Sequence, residues 1–283
     1  MIKLYNQKTT VEINEMGAEL KSLTCNNKEY IWRGEPEIWS FSAPLLFPIC
    51  GGLKEDKYIF EGKEYHLSKH GYARTTLFEV ENSDDTNAVF LHKSTPETKT
   101  VFPFDYELRV IYTLTDTSLK IKYKVDNIGD DTMYFSIGSH EGYYTPEGIE
   151  QYDVIFEKEE TLEASALWGN LIGTQTQPIL KESRVLPLYD KYFIVDALAF
   201  RKLESRSCIL RNRVNGKSLK LDFPFADYFL LWHKHNSPYI CLEPWAGIGD
   251  IVGSDYDITK KEGIIPLESG RTYTGEHTIT LLS

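Results

Sequence analysis

Leu119-Lys120-Ile121-Lys122-Tyr123-Lys124-Val125 alternates apolar and basic residues without a break. Side chains of a strand leave it on alternate faces, so this stretch predicts a strand with one face on a core and the other in water. Working outward, Tyr106 to Leu114 lies before it, and Met133 to Ile137 follows. Further short apolar runs are Leu77 to Val80, Ala88 to His92, Asp153 to Phe156, Phe193 to Phe200, Cys208 to Val214, Ser218 to Phe223, Tyr228 to His233, Tyr239 to Glu243 and Thr272 to Leu281. Asn215-Gly216 is a strong hairpin signal between two of them. At the N-terminus, Ile2 to Tyr5 and Thr9 to Ile13 predict a hairpin, with strands at Met16 to Leu23 and Lys28 to Trp32. Lys57 to Phe60 and Glu64 to Leu67 flank a turn at Glu61-Gly62-Lys63, and Pro36 to Trp39 predicts a single helical turn. No stretch carries a three-turn helical period, a linker or a repeat. The expectation is an all-β, antiparallel sandwich forming one domain over residues 1–283.

Composition narrows the function. Acids outnumber bases by 42 to 31, a formal net charge of −11, with no basic run. That argues against nucleic acid and against an anionic membrane surface as partner. The cysteines Cys25, Cys50, Cys208 and Cys241 form no C-x-x-C pair and sit in apolar surroundings, which predicts buried free thiols. Met1 to Asn6 has no signal-peptide character, and no apolar run reaches membrane-span length, so the expected location is the cytoplasm. Nothing in the sequence specifies an oligomeric state.

Four places offer chemistry. In Tyr239-Ile240-Cys241-Leu242-Glu243-Pro244-Trp245 a buried strand runs into a carboxylate, a proline and an indole. Proline cannot donate to a ladder, so the strand is expected to stop, or become an edge, at Pro244, leaving Glu243 at its last turn facing the loops. A carboxylate beside the flat face of Trp245 suits a polyol ring. His140 follows an apolar strand in a Gly-flanked loop and titrates near neutrality, as a general acid or base must. His70 precedes Gly71, and Arg74 offers a fork of donors for hydroxyls or anions. His233-Lys234-His235 could hold a metal only with a third ligand, and none is near in sequence; it reads as a solvated strand end, and no metal or cofactor is expected. Glu243 and Asp250 could in principle form a glycosidase pair.

Four segments together resemble the aldose 1-epimerase (galactose mutarotase-like) superfamily and its LacX-like branch. They are Ala43-Pro44-Leu45-Leu46-Phe47-Pro48, His70-Gly71-Tyr72-Ala73-Arg74, Phe135-Ser136-Ile137-Gly138-Ser139-His140 and Tyr239 to Trp245, in the family's order. Ile264 to Tyr273 is similar to its closing strands. The resemblance implies a galactose mutarotase-like β-supersandwich that binds a monosaccharide in a cleft. It implies Glu243 as catalytic base, His140 as catalytic acid and His70 as a second, substrate-polarising histidine. It suggests Asp196 as an acid binding sugar hydroxyls. The family's substrate-contacting arginine usually follows the Phe-Pro segment; Gly51-Gly52 stands there, and Arg74 is the candidate replacement.

The expected activity is therefore interconversion of the α and β anomers of an aldose by acid/base ring opening, without cofactor. Alternatives are a sugar-phosphate mutarotase, and a carbohydrate-binding or sugar-sensing protein of the same fold. Burial beside Trp245 is expected to raise the pKa of Glu243, and a neighbouring negative charge to raise that of His140.

Overall fold

The computed structural model describes residues 1–282. The alternating stretch Leu119 to Val125 sits at the heart of the fold. In the strand Ser118–Asn127, Leu119, Ile121, Tyr123 and Val125 are buried while Lys120 is exposed. Tyr106–Thr115 flanks it on one side and Thr272–Leu282 on the other, both antiparallel. Register places Ile121 between Tyr112 and His277, so the buried row continues across three strands. Each buried aliphatic of such a row contributes about 1.5–3 kcal/mol.

These strands belong to a fourteen-stranded antiparallel sheet. A four-stranded sheet from Ile2–Tyr5, Thr9–Asn14, Glu19–Cys25 and Lys28–Glu29 packs its Leu4, Val11, Ile13 and Leu23 into the same core as Phe90, Tyr112 and Ile121. Among the described residues the one α-helix is the four-residue Pro96–Lys99, capped by Thr95. The chain is all-β, as its pattern predicts. The four cysteines are buried and unpaired.

The N-terminal hairpin, the Lys57–Phe60/Lys63–His66 hairpin and the turn at Pro36 to Trp39 form as expected, the last closed by the Trp39 N–H donating to the Glu35 carbonyl (2.8 Å). So does the hairpin of Ser207–Asn212 with Ser218–Asp222, where Gly216 takes the left-handed conformation (φ 73°).

Three expectations fail. The strand at Asp153 to Phe156 is only the start of a 17-residue strand, Tyr152–Trp168, which pairs with a second 17-residue strand, Leu171–Pro187. Four register shifts interrupt that pairing, so the period-2 signal is lost along it. Phe193 to Phe200 is not one strand: Asp190–Phe193 forms a 3₁₀ turn, and only Leu198–Phe200 joins the sheet. Strand Tyr239–Ala246 does not stop at Pro244 but runs through it. No described helix is long and apolar enough to cross a membrane.

Candidate active site

All eight residues of Tyr239–Ala246 are buried. One edge pairs with Tyr228–Trp232; the other with Ile137–Gly138 and then Glu141–Tyr144. The register is the same in both pieces, Gly138 opposite Trp245 and Glu141 opposite Leu242. Ser139 and His140 therefore face Pro244 and Glu243. The Pro244 carbonyl still accepts the Ser139 N–H (3.1 Å), but Pro244 has no N–H to return. The Ser139 carbonyl instead accepts the indole Nε1–H of Trp245 (3.1 Å). A side-chain donor thus replaces the missing backbone one, and the strand continues where proline should have ended it. Glu243 is consequently in mid-strand, 1% exposed, rather than at a strand end.

Directly opposed residues of an antiparallel pair share a face. His140 and Glu243 do, with Nε2 3.3 Å from Oε2, long for a hydrogen bond. His140 Nδ1 and Glu243 Oε1 are buried without partners. Buried polar atoms are rarely left so, and His140 and Glu243 both border a cavity. Glycines on either side of His140 make room for the walls. A Cβ on Gly138 would lie 2.6 Å from Trp245 Cδ1, and one on Gly142 3.0 Å from Trp39 Cζ3. Trp39 lies tilted against the His140 ring (centroids 5.2 Å) and Trp232 meets it edge-on (5.8 Å).

His70 approaches from another part of the chain. Its ring is 5.6 Å from both His140 and Trp245, edge-on to each. Its backbone is left-handed (φ 69°), uncommon for a residue with a side chain. The His70 N–H donates to the Gly51 carbonyl (2.8 Å), and His70 Nδ1 accepts the Gly51 N–H (3.2 Å). A neutral His70 therefore carries its proton on Nε2. Burial, then the nearby His140, hold its pKa well below the ordinary imidazole value.

These groups line one cavity of about 480 Å³. Glu243, His140, His70, Arg74, Asp196 and Trp245, the six residues singled out in the sequence, all border it. Arg74 is held by donating to the Lys69 carbonyl (2.9 Å) and lies over Phe41. Lys69 borders the cavity as well, and among the described residues neither cation forms an ion pair. Asp196 accepts its neighbour Ala197's N–H (2.8 Å). Gly51 leaves no space for an arginine: a Cβ there would lie 2.6 Å from Gly249 Cα. The sequence reading missed the cavity walls Trp39, Trp232, Leu167 and Asn170. Only Trp232, at the end of an apolar strand, gave any local hint.

Burial raises the Glu243 pKa well above the ordinary carboxylate value, with Lys69 opposing and Asp196 and Glu141 adding to the rise. The expectation for His140 fails. Burial pushes its pKa down, and the positive Lys69 and Arg74 push the same way. Desolvation penalises each charged form, so burial biases the pair toward a carboxylic acid beside a neutral imidazole.

Two other sequence candidates resolve differently. Asp250 does not border the cavity; its Oδ1 lies 3.2 Å from the buried Lys261 Nζ and its Oδ2 accepts the Lys54 N–H (3.0 Å). It is structural, and no glycosidase pair with Glu243 forms. His233 is buried, not solvated: Nδ1–H donates to the Tyr239 carbonyl (2.7 Å) and Nε2 faces Asp190 Oδ1 (2.9 Å). His235 bonds the other oxygen of Asp190.

The chain matches the aldose 1-epimerase family over residues 1–273 and belongs to that family. It is 32% identical to the plasmid-encoded protein LacX of Lactococcus lactis subsp. lactis, across 100% of this chain and 99% of that one. Among solved structures it is similar to a galactose mutarotase related enzyme from Lactobacillus acidophilus (32% identity, TM-score 0.93, 100% and 97% of the two chains). A galactose mutarotase-like protein from Lactobacillus casei is comparable (30% identity, TM-score 0.94, 100% of both chains). The fold is galactose mutarotase-like.

Proposed function

We propose that this protein is a cytoplasmic aldose 1-epimerase that interconverts the α and β anomers of a monosaccharide within a single domain. The observation that carries the reading is the His140–Glu243 pair, opposed across one strand pair with free polar atoms in a cavity of sugar size. Ring opening needs a base to take the proton of the anomeric O1 hydroxyl and an acid to protonate the ring oxygen O5 as the C1–O5 bond breaks. The open aldehyde rotates about C1–C2 and recloses with the roles exchanged. A pair holding one mobile proton does this without net charge change.

Glu243 acts as base and His140 as acid from the tautomer in which the proton sits on the imidazole. Lys69 favours that carboxylate electrostatically. Substrate hydroxyls restore the hydrogen bonds that burial removed from both groups. His70, with Nε2–H as donor, polarises the sugar oxygen it meets, and Asp196 accepts hydrogen bonds from sugar hydroxyls. Trp245, Trp39 and Trp232 offer flat faces to ring C–H groups.

Arg74 and Lys69, two cations on the cavity without acidic partners, favour a second reading in which the sugar carries an anionic group such as phosphate. One experiment tests both. Anomer exchange is followed by NMR over a panel of free aldoses and their phosphate esters, with catalysis of at least one sugar expected. Preference for the esters, lost in Arg74→Gln, selects the second reading. Binding of sugars without any acceleration across the panel would make the protein a sugar-binding member of the family.

A further inference from the structure

Strand alternation puts Cys241 on the face that carries Glu243 and Trp245, one step deeper than the cavity floor. Its thiol, a His140 nitrogen and a Glu243 oxygen all lie within 4.8 Å of one another, and all three residues are buried. We propose that His140, Cys241 and Glu243 form a zinc site whose occupation switches the enzyme off.

The geometry suits the ion. Zinc takes nitrogen, sulfur and oxygen ligands tetrahedrally at about 2.0–2.3 Å, which separates them by about 3.3–3.6 Å. His140 Nε2 and Glu243 Oε2 are already 3.3 Å apart without a good hydrogen bond between them. Glu243 Oε1 and His140 Nδ1, buried and unpartnered, supply a spare ligand atom and a nitrogen that can turn inward. The cavity leaves a fourth position open to water or a sugar hydroxyl.

The exchange balances: zinc binds the Cys241 thiolate and the Glu243 carboxylate, and each proton that it displaces from them goes to water. With zinc bound, Glu243 has lost its access to O1–H and His140 its free lone pair. Binding is independent of the reaction proposed above; the loss of activity rests on it.

The test is zinc binding by the metal-free full-length chain, read by competition with a chromophoric chelator. Cobalt(II) is the spectroscopic probe. The parent is expected to bind one zinc per chain in the micromolar range or tighter. Its cobalt form should show a thiolate-to-cobalt charge-transfer band, and sugar turnover should fall as zinc is added. Cys241→Ser should weaken zinc binding by at least about 10-fold, since even the loss of an outer-shell partner costs that much, abolish the band and keep the metal-free turnover. His235→Ala, which disturbs the histidine–aspartate cluster at Asp190, should change none of these. Affinity lost in His235→Ala but kept in Cys241→Ser would overturn the proposal, as would a parent without the thiolate band. If Cys241→Ser does not fold, the band in the parent decides. If the parent proves not to be an anomerase, the binding arm stands unaltered.

Discussion

His140 and Glu141 are neighbours whose side chains leave the chain in opposite directions, and each meets a partner of the other type. Glu141 Oε1 accepts a hydrogen bond from His277 Nε2 at 2.9 Å, deep between the sheets with Tyr123 and Phe225 around the imidazole. His140 faces Glu243 at 3.3 Å on the cavity. Both pairs are buried, and each leaves one carboxylate oxygen and one ring nitrogen without a partner. The chemistry of the groups is the same. What separates them is access: a sugar can reach the free atoms of His140 and Glu243, and nothing from solvent can reach those of Glu141 and His277. Under the proposed function the first pair is open to a substrate; the second ties the strand Glu141–Tyr144 to the strand Thr272–Leu282 behind it.

The comparison breaks or holds first on rates. His140→Asn should lower kcat by about 10²–10⁴-fold with KM changed only a few-fold, because an acid acting on O5 matters chiefly in the transition state. Glu141→Gln should leave kcat per folded molecule within a few-fold. Equal losses in the two variants, measured by polarimetry, would erase the distinction between reactive and structural pair.

Stability should move the opposite way. His277→Ala strands a buried carboxylate and should cost about 3–5 kcal/mol in denaturant unfolding. Glu243→Gln should stabilise the protein by about 1 kcal/mol at neutral pH. The sign follows from its raised pKa. Below the unfolded value of 4.5 both states hold the proton, so nothing is lost. As pH rises through that value the unfolded chain releases the proton and the folded one keeps it, so stability falls. The Gln variant escapes that fall, and its advantage should disappear in unfolding curves taken below about pH 4.

The pH profile sharpens the same point. With Glu243 as base and His140 as acid, both titrating near their ordinary values, the acid limb would belong to Glu243 and the alkaline limb to His140. The observed burial reverses them. The proposed reaction needs one proton on the pair. A second proton adds to His140, whose pKa is pushed below the ordinary 6.5, and sets the acid limb. The last proton leaves Glu243, whose pKa is held above 4.5, and sets the alkaline limb. The bell of kcat/KM should be broad, and the residual activity of His140→Asn should lose the acid limb while keeping the alkaline one. Loss of the alkaline limb instead would restore the assignment made from sequence. The smallest effect concerns metal: a chelator should leave the rate of purified enzyme unchanged or slightly raised, whereas a loss reversed by zinc would make the ion a participant.

The legible parts of this molecule are those whose signals are local. Leu119 to Val125 declares its strand by alternation, Asn215-Gly216 its turn, and the segments around His70, His140 and Glu243 their kinship. Tyr152–Trp168 and Leu171–Pro187 were not legible: a bulged, half-exposed hairpin has no steady period, and Glu157 to Glu160 looks like solvent-facing loop. Pro244 misled because the donor that compensates for it, the Trp245 indole, is visible only once Ser139 lies opposite. The nearness of Cys241 to His140, and of Asp190 to His233, are products of register and packing between distant segments. The His140 pKa goes the other way for a related reason: its own burial and the nearby Lys69 and Arg74 push it down, and the burial of Glu243 disfavours the negative charge expected beside it.

The central claim is that Glu243 exchanges protons with the anomeric centre. Its most direct test is saturation-transfer NMR between the α and β anomers of the best substrate, with parent enzyme and Glu243→Gln at equal concentrations of folded protein. The Gln side chain keeps the shape of the cavity and cannot take a proton. Sugar affinity should be unchanged and the exchange rate lowered by about 10²–10⁴-fold. A Gln variant that exchanges the anomers as fast as the parent contradicts the central claim.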